Sequence, residues 1–308
     1  MEIALQFVLL ALGFVMLGKG ADWFVEGAAG IAMRFGIPQL VIGLTIVAMG
    51  TSAPEAAVSI AAAVKGNADI TIGNIVGSNI LNILVILGLA ASIVPIAVAR
   101  STVRIEIPFM IGVTALLFYQ GRDSSISLAD GGVLMVAFAA YMMYLYTMAM
   151  KSNVDSDLEE PGLPLGRCLL GAVGGLALII AGSNVTVGAA TSIATYAGLS
   201  ERFIGLTIVA LGTSLPELFT SAAAARRGNA DIAIGNIVGS NIFNILFVVG
   251  LSSLIIDIPF ASAFNFDTYV ALGAAVLLWL CVLRTQRLQR WAGALMLMCY
   301  AAYLGYIL

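Results

Sequence analysis

The sequence predicts an all-α integral membrane protein with ten transmembrane helices, arranged as two inverted-topology five-helix repeats. Three observations predict it. The 308 residues are 61% hydrophobic and 10% charged, with no histidine, far from the near-half apolar and quarter charged shares of a soluble domain. The apolar residues fall in runs long enough for membrane helices, which need about 20 residues, and not in the alternating segments of about ten that mark a β-barrel. The chain also repeats itself: residues 42–55 read IGLTIVAMGTSAPE and 204–217 read IGLTIVALGTSLPE, each followed by GNADI and IGNIVGSNI, at a constant offset of 162 residues.

In order, the spans are expected at 3–25, 37–64, 70–95, 105–120 and 128–149, then at 166–190, 202–225, 230–256, 267–283 and 290–307. The first has no basic leader and no small-residue cleavage site soon after it, so it is expected to stay as a helix. Its Asp22 and Glu26, with Lys19 one turn away, read as a structural ion-pair cluster, because Asn184 and Gly188 stand at the equivalent places in the second half. The second span is interrupted by Pro54. The third carries Ser78 and Asn82, four residues apart and so on one helical face. Glu106 and Asp130, at the ends of the fourth and fifth spans, read as interfacial. After the fifth come Asp155, Asp157, Glu159, Glu160, Pro161 and Pro164, a solvated linker. The domain boundaries follow: a first repeat at 1–150, a cytoplasmic linker at 151–164 and a second repeat at 165–308. In the second half Pro216 interrupts the seventh span, and the eighth carries Ser240 and Asn244. Asp69 and Asp231 are expected to cap the helices after the two hairpins. Cys168, Cys281 and Cys299 lack metal-ligand spacing and read as small core residues.

Basic residues set the orientation. One side holds Lys65, Arg122 and Arg202; the other holds Arg34, Arg100, Arg104, Lys151, Arg167, Arg226, Arg227, Arg284, Arg287 and Arg290. The second side is cytoplasmic by the positive-inside rule, which puts both termini outside a plasma or inner membrane. Five spans separate equivalent points, so the second copy enters the membrane upside down. Inverted repeats with a broken segment at matching places point to a secondary transporter with its site near the midplane.

The broken segments carry the chemistry. Pro54 and Pro216 have no amide hydrogen for the carbonyls of Gly50 and Gly212, and a freed carbonyl in a membrane must find protein, water or an ion. Thr51, Ser52 and Glu55 surround one break, and Thr213, Ser214 and Glu217 the other. Two bidentate glutamates and two carbonyls offer about six oxygens, within the range of calcium, and two negative charges balance one divalent ion. Ser78 with Asn82, and Ser240 with Asn244, add neutral oxygens that suit sodium. Two ions competing for one set of carboxylates is what exchange requires.

These motifs, residues 50–55 with 73–82 and 212–217 with 235–244, resemble the paired alpha repeats of the sodium/calcium exchanger family within the calcium/cation antiporter superfamily, especially its compact prokaryotic members. The resemblance covers essentially the whole chain. It implies a ten-helix antiporter with four midplane cation sites, whose first and sixth helices slide across a rigid eight-helix core. It maps a central site onto the Glu55 and Glu217 side chains with the Thr51 and Thr213 backbone oxygens. It maps two sodium sites onto Ala210, Thr213 and Ser240 and onto Ala48, Thr51 and Ser78, sharing the glutamates, and a middle position onto Asn82 and Asn244. Asn244 departs from the aspartate of the best understood exchangers and resembles its protonated form. The regulatory cytoplasmic insert of animal relatives is missing.

The expected cargo is Ca2+ and Na+, with no resident cofactor. The expected partners are these cations and the lipid bilayer, with no nucleic acid; the letters leave oligomeric state open. Without histidine, a nucleophile and base pair or a cofactor motif, an enzyme is not expected. Two close carboxylates in low dielectric could take protons instead, so a proton/calcium exchanger is the competing reading, with a cation channel behind it.

Overall fold

The computed structural model describes residues 2–66, 69–152, 163–198 and 210–307. Each half opens with a very long helix, α1 (Glu2–Arg34) and α7 (Leu165–Tyr196). Both outrun their expected apolar runs and end just before a glycine with positive φ. Gly36 and Gly198, one repeat apart, take φ of 60° and 80°, the left-handed turn that ends a helix at little cost when no side chain is present. The 33 residues of α1 rise about 50 Å, beyond a hydrocarbon core of about 30 Å, so the helix tilts or projects.

The next segment of the first half is a bent pair, α2 (Gln39–Thr51) and α3 (Ala53–Val64), with 51° between them. Its counterparts are α8 (Ala210–Thr213) and α9 (Leu215–Arg226). The start of the expected seventh span lies outside the described residues, as do Arg202 and the four linker acids. The remaining helices are α4 (Thr71–Ile93), α5 (Thr102–Asp123) and α6 (Leu128–Ser152), then α10 (Ala230–Ile255), α11 (Ala263–Val282) and α12 (Arg290–Ile307). Among the described residues seven helices are long and apolar enough to cross a membrane, or eight with the bent pair. The expected ten is reached only by adding α8 with α9, and α12.

Four two-residue strands tie the loops together. β1 (Ile96–Ala97) pairs antiparallel with β4 (Arg287–Leu288), and β2 (Ser125–Ile126) pairs with β3 (Ile258–Pro259). β1 and β3 are one repeat apart, as are β2 and β4, so each half meets the complementary strand of the other. Because α5 runs from β1 to β2, the two strand pairs mark opposite ends of the molecule. α5 and α12 begin at the β1–β4 end, whereas α6 and α11 begin at the β2–β3 end.

Two apolar clusters form the interior. The larger centres on α4 and α10, through Ile75, Ile80, Leu84, Ile237, Ile242 and Leu246; α10 is buried along almost its whole length. The smaller one, including Leu17, Phe24, Cys168, Ile179 and Ala223, joins α1 to α7 and α9. Small residues set how closely α1 and α7 approach. A β-carbon on Gly20 would lie 2.9 Å from the Gly175 carbonyl oxygen, and one on Gly175 would lie 2.7 Å from that of Gly20. Gly13 and Gly182 stand in the same reciprocal relation, at 3.1 and 3.0 Å.

Two expectations change. Asp22 and Glu26 pair across to the end of α9, not with Lys19: Arg226 and Arg227 reach Asp22 at 3.6 and 3.5 Å, and Arg227 reaches Glu26 at 3.2 Å. Asp231 is not a cap, since Asn229 holds that position and makes no side-chain capping bond; the Asp69 side chain lies outside the described residues. Glu106, near the start of α5, is fully buried within the protein, with Tyr144 of α6 donating to it. Asp130 does stand at a helix start, where it exchanges hydrogen bonds with Ser127 in a capping box. Cys168 and Cys281 are buried and free, and Cys299 is half-buried.

Substituting Gly20 or Gly175 by Leu should overpack the α1–α7 contact by at least about 1–3 kcal/mol. Thermal unfolding in detergent should show a clear loss for both variants, and much less for Gly18→Leu, where a β-carbon meets nothing within 4 Å.

Candidate functional site

The site forms where the two broken segments cross the two central helices. Pro54 and Pro216 sit in the first turns of α3 and α9, where a missing amide hydrogen costs nothing. The residues ahead of those helices, Ser52 and Ser214, adopt nearly the same backbone, with φ, ψ of −83°, 5° and −91°, 4°. This break leaves Glu55 and Glu217 one turn into a helix and 1% exposed each. The two carboxylates lie close enough to interact electrostatically.

Each glutamate is held by the other half. The Ser52 hydroxyl donates to Glu217 Oε1 at 2.8 Å, and the Ser214 hydroxyl to Glu55 Oε1 at 3.4 Å. Behind them, Asn74 Nδ2 donates to the Glu55 carbonyl at 3.3 Å and to Ser59 Oγ at 2.9 Å. Asn236 does the same for the Glu217 carbonyl and Ser221 Oγ, at 3.4 and 2.9 Å. The Thr51 hydroxyl donates to Asn236 Oδ1 at 2.9 Å.

The central helices are joined by four asparagines. Asn79 and Asn241 donate to each other's backbone carbonyls, at 3.2 Å in both directions. Asn82 Nδ2 donates to Asn241 Oδ1 at 2.9 Å, and Asn244 Nδ2 to Asn79 Oδ1 at 3.1 Å. Both begin a widened π-type turn, Asn82–Leu87 and Asn244–Val249, a feature frequent at functional sites. With their amide groups engaged, Asn82 and Asn244 keep a carbonyl oxygen without a donor. So do the second oxygens of Glu55 and Glu217.

Four buried oxygens in two matched pairs therefore lack donors. Leaving such a group unsatisfied costs about 1–3 kcal/mol, more for a charged one, and a cation would satisfy all four. They are hard oxygen donors, as calcium and sodium prefer. Among the described residues no group of three or more His, Cys, Asp or Glu is present, and the described ion pairs all involve Arg226 or Arg227.

The other expected ligands lie nearby. Ser78 and Ser240 are buried, and Ser240 Oγ donates to the Ala48 carbonyl at 3.4 Å. Ala48 and Thr51 belong to the last turn of α2 and are fully buried. Ala210 and Thr213 bound α8, where only the backbone of Ala210 is described. Sequence reasoning did not select Asn74, Asn79, Asn236 or Asn241 as site residues. Their signal was present: each is a polar residue repeated at the same offset within an apolar span.

The chain matches the family model for sodium/calcium exchanger proteins over residues 5–147 and 168–308. The chain belongs to the sodium/calcium exchanger family. It is 33% identical to the sodium/calcium exchanger MaX1 of Methanosarcina acetivorans over 98% of both chains. It is 40% identical to the inner membrane protein YrbG of Escherichia coli over 80% of this chain and 79% of that one. Its fold superimposes on the sodium-calcium exchanger NCX_Mj, soaked with 2.5 mM Na+ and 10 mM Sr2+, with a TM-score of 0.86, 33% identity and coverage of 98% and 99% of the two chains. This exchanger-family protein is thus a multi-pass membrane antiporter.

One site feature is unequal between the halves. The Gly212 carbonyl, which Pro216 cannot cap, accepts a 2.7 Å bond from Ser183 of α7. The equivalent of Ser183 in α1 is Ala21, fully buried and without a hydroxyl. Ser183→Ala should strand the Gly212 carbonyl and destabilise the fold by about 1–3 kcal/mol, measured as a lower unfolding temperature in detergent.

Proposed function

We propose that the protein exchanges Na+ for Ca2+ across the cell membrane by alternating access, binding both at the cage of Glu55, Glu217, Asn82 and Asn244. The observation that carries this reading is the pair of buried glutamates, each steadied by a serine of the opposite half, whose remaining oxygens have no donor. Thr51 and Thr213 add backbone oxygens to the central position. Ser240 with Ala210, and Ser78 with Ala48, complete two flanking sodium positions that draw on the same glutamates. MaX1 and NCX_Mj are named for sodium and calcium, which supports the same cargo here.

Two negative charges neutralised by one Ca2+, or by several Na+, make the cage tolerable in either loaded form. Empty, it holds uncompensated charge at membrane depth, which is penalised by about 2.5 kcal/mol or more per acid. The empty protein therefore resists switching, which couples the two flows. Any net charge moved per cycle adds about 2.3 kcal/mol for each 100 mV.

The repeats are ten spans in two inverted halves, 1–150 and 165–308, joined by the linker at 151–164. The β1–β4 end, near Arg100, Arg104, Arg284, Arg287 and Arg290, is then the cytoplasmic one, with both termini outside. In this orientation the protein faces outward. Gly73, Asn74 and Gly77, on the outer half of α4, are half-buried, whereas Gly235, Asn236 and Gly239, on the inner half of α10, are buried, with Gly239 against Leu44 and Ala48. The tight α1–α7 pair, with its own apolar cluster, is the unit that slides between the two states.

Glu55→Gln and Glu217→Gln should each weaken equilibrium Ca2+ binding by about a hundredfold or more, following the 3–5 kcal/mol that breaking a buried charge constellation costs. Unchanged affinity in both variants would remove the cage from the mechanism. In vesicles at fixed pH, an imposed Na+ gradient should drive Ca2+ flux, and a pH gradient without Na+ should not; the reverse pattern identifies a proton/calcium exchanger.

A further inference from the structure

Outside the transport site, two of the cavities form a matched pair. One, about 160 Å³, lies between α5 and α6 and is lined by Glu106, Phe109, Ala140, Tyr141 and Tyr144. The other, about 370 Å³, lies chiefly between α11 and α12, with Phe266, Val270, Leu277, Ala302, Tyr303 and Tyr306 among its walls. Ala140, Tyr141 and Tyr144 become Ala302, Tyr303 and Tyr306 at the repeat offset, so the two cavities are the same place in the two halves. Since α5 and α11 begin at opposite ends of the molecule, the cavities open near opposite faces of the membrane.

Each contains a carboxylate in the first turns of the fourth helix of its half, bonded to a tyrosine of the fifth. Tyr144 donates to Glu106, and Tyr303 donates to Asp267 at 2.9 Å. The carboxylates are not repeat equivalents, since Ile105 and Thr268 stand at the matching positions. The same pairing has been built twice from neighbouring positions. In the first cavity the acid is fully buried, and the second oxygen of Glu106 and the Tyr141 hydroxyl have no hydrogen-bond partner among the described residues. Tyr141 is itself 5% exposed and stacked on Phe109 at 5.2 Å.

We propose that these cavities seat the head of a primary-amine phospholipid, one near each membrane face. A protonated amine carries one positive charge and three N–H donors. Glu106 supplies the charge, and the free oxygens of Glu106 and Tyr141 supply two acceptors, with the Phe109–Tyr141 stack as an aromatic wall for the cation. Arg104, exposed two residues before Glu106, faces the headgroup region and suits the lipid phosphate; Phe266 replaces it in the second half. The first cavity is therefore the tighter seat, and the larger second one holds more hydrocarbon against Val270, Leu277 and Phe266. A trimethylated head has the same charge but no donors, so it leaves the orphaned oxygens unsatisfied.

The test is native mass spectrometry of the full chain released from vesicles of equimolar phosphatidylethanolamine and phosphatidylcholine. Retained phosphatidylethanolamine should exceed phosphatidylcholine at least threefold. Glu106→Gln should reduce that preference more than Asp267→Asn, and the double variant should bring it to parity while Ca2+ affinity stays unchanged. If Glu106→Gln does not fold, Tyr141→Phe should weaken the preference. Equal retention of the two lipids by the parent protein, or a preference that survives the double variant, overturns the proposal. Thermal stabilisation by KCl that is lost in Glu106→Gln also overturns it, because the cavity then takes an inorganic cation.

Discussion

Two acidic side chains with no basic neighbour, enclosed at the centre of an apolar bundle, govern the rest of this structure. A carboxylate pair in such surroundings is repulsive and poorly solvated, so the fold must hold it in place, and in the proposed function the cargo neutralises it. Everything near Glu55 and Glu217 serves one of those two ends. The serines at the helix breaks and the asparagines on the central helices take one oxygen of each acid or anchor its backbone. The oxygens left over point to what the cage is for.

The cross-bracing also ties the two halves to each other. Ser52 needs Glu217, Asn79 needs Asn241, and β1 needs β4. Each of these contacts has a mirror image in which the two halves exchange roles. A polar network buried in lipid is tolerable only when nearly every member is satisfied, and here satisfaction is obtained across the two-fold relation. The same relation carries through to the glycines of α1 and α7, whose reciprocal close contacts let two very long helices lie together as a unit distinct from the larger core.

Much of this was legible in the letters. Proline beside glutamate in an apolar run, written twice, identifies the breaks and the charged centre without any coordinates. The serine and asparagine positions four residues apart follow from helical geometry alone. The partnerships did not follow: Asn79 reads as one polar residue among several in its helix until Asn241 is seen opposite, 162 positions away. Asp22 and Glu26 looked satisfied by Lys19 because only local spacing was available, whereas the arginines that hold them lie about 200 residues on. Glu106 reads as interfacial because it begins a span, but nothing in the letters names Tyr144 as the partner that covers it. The Ser183 bond to Gly212 was foreseeable only as a need for some donor, not as a named one.

Ser183 also bears on energetics of a different kind. Had the two copies stayed identical, the form open on one side and the form open on the other would be mirror images and equally populated. A hydroxyl present in α7 and absent from α1 is one of the differences that lift that degeneracy. It ties one flanking helix to its broken neighbour in a way the other helix cannot imitate, so under the proposed alternating access the two states would differ in energy even without ion or voltage.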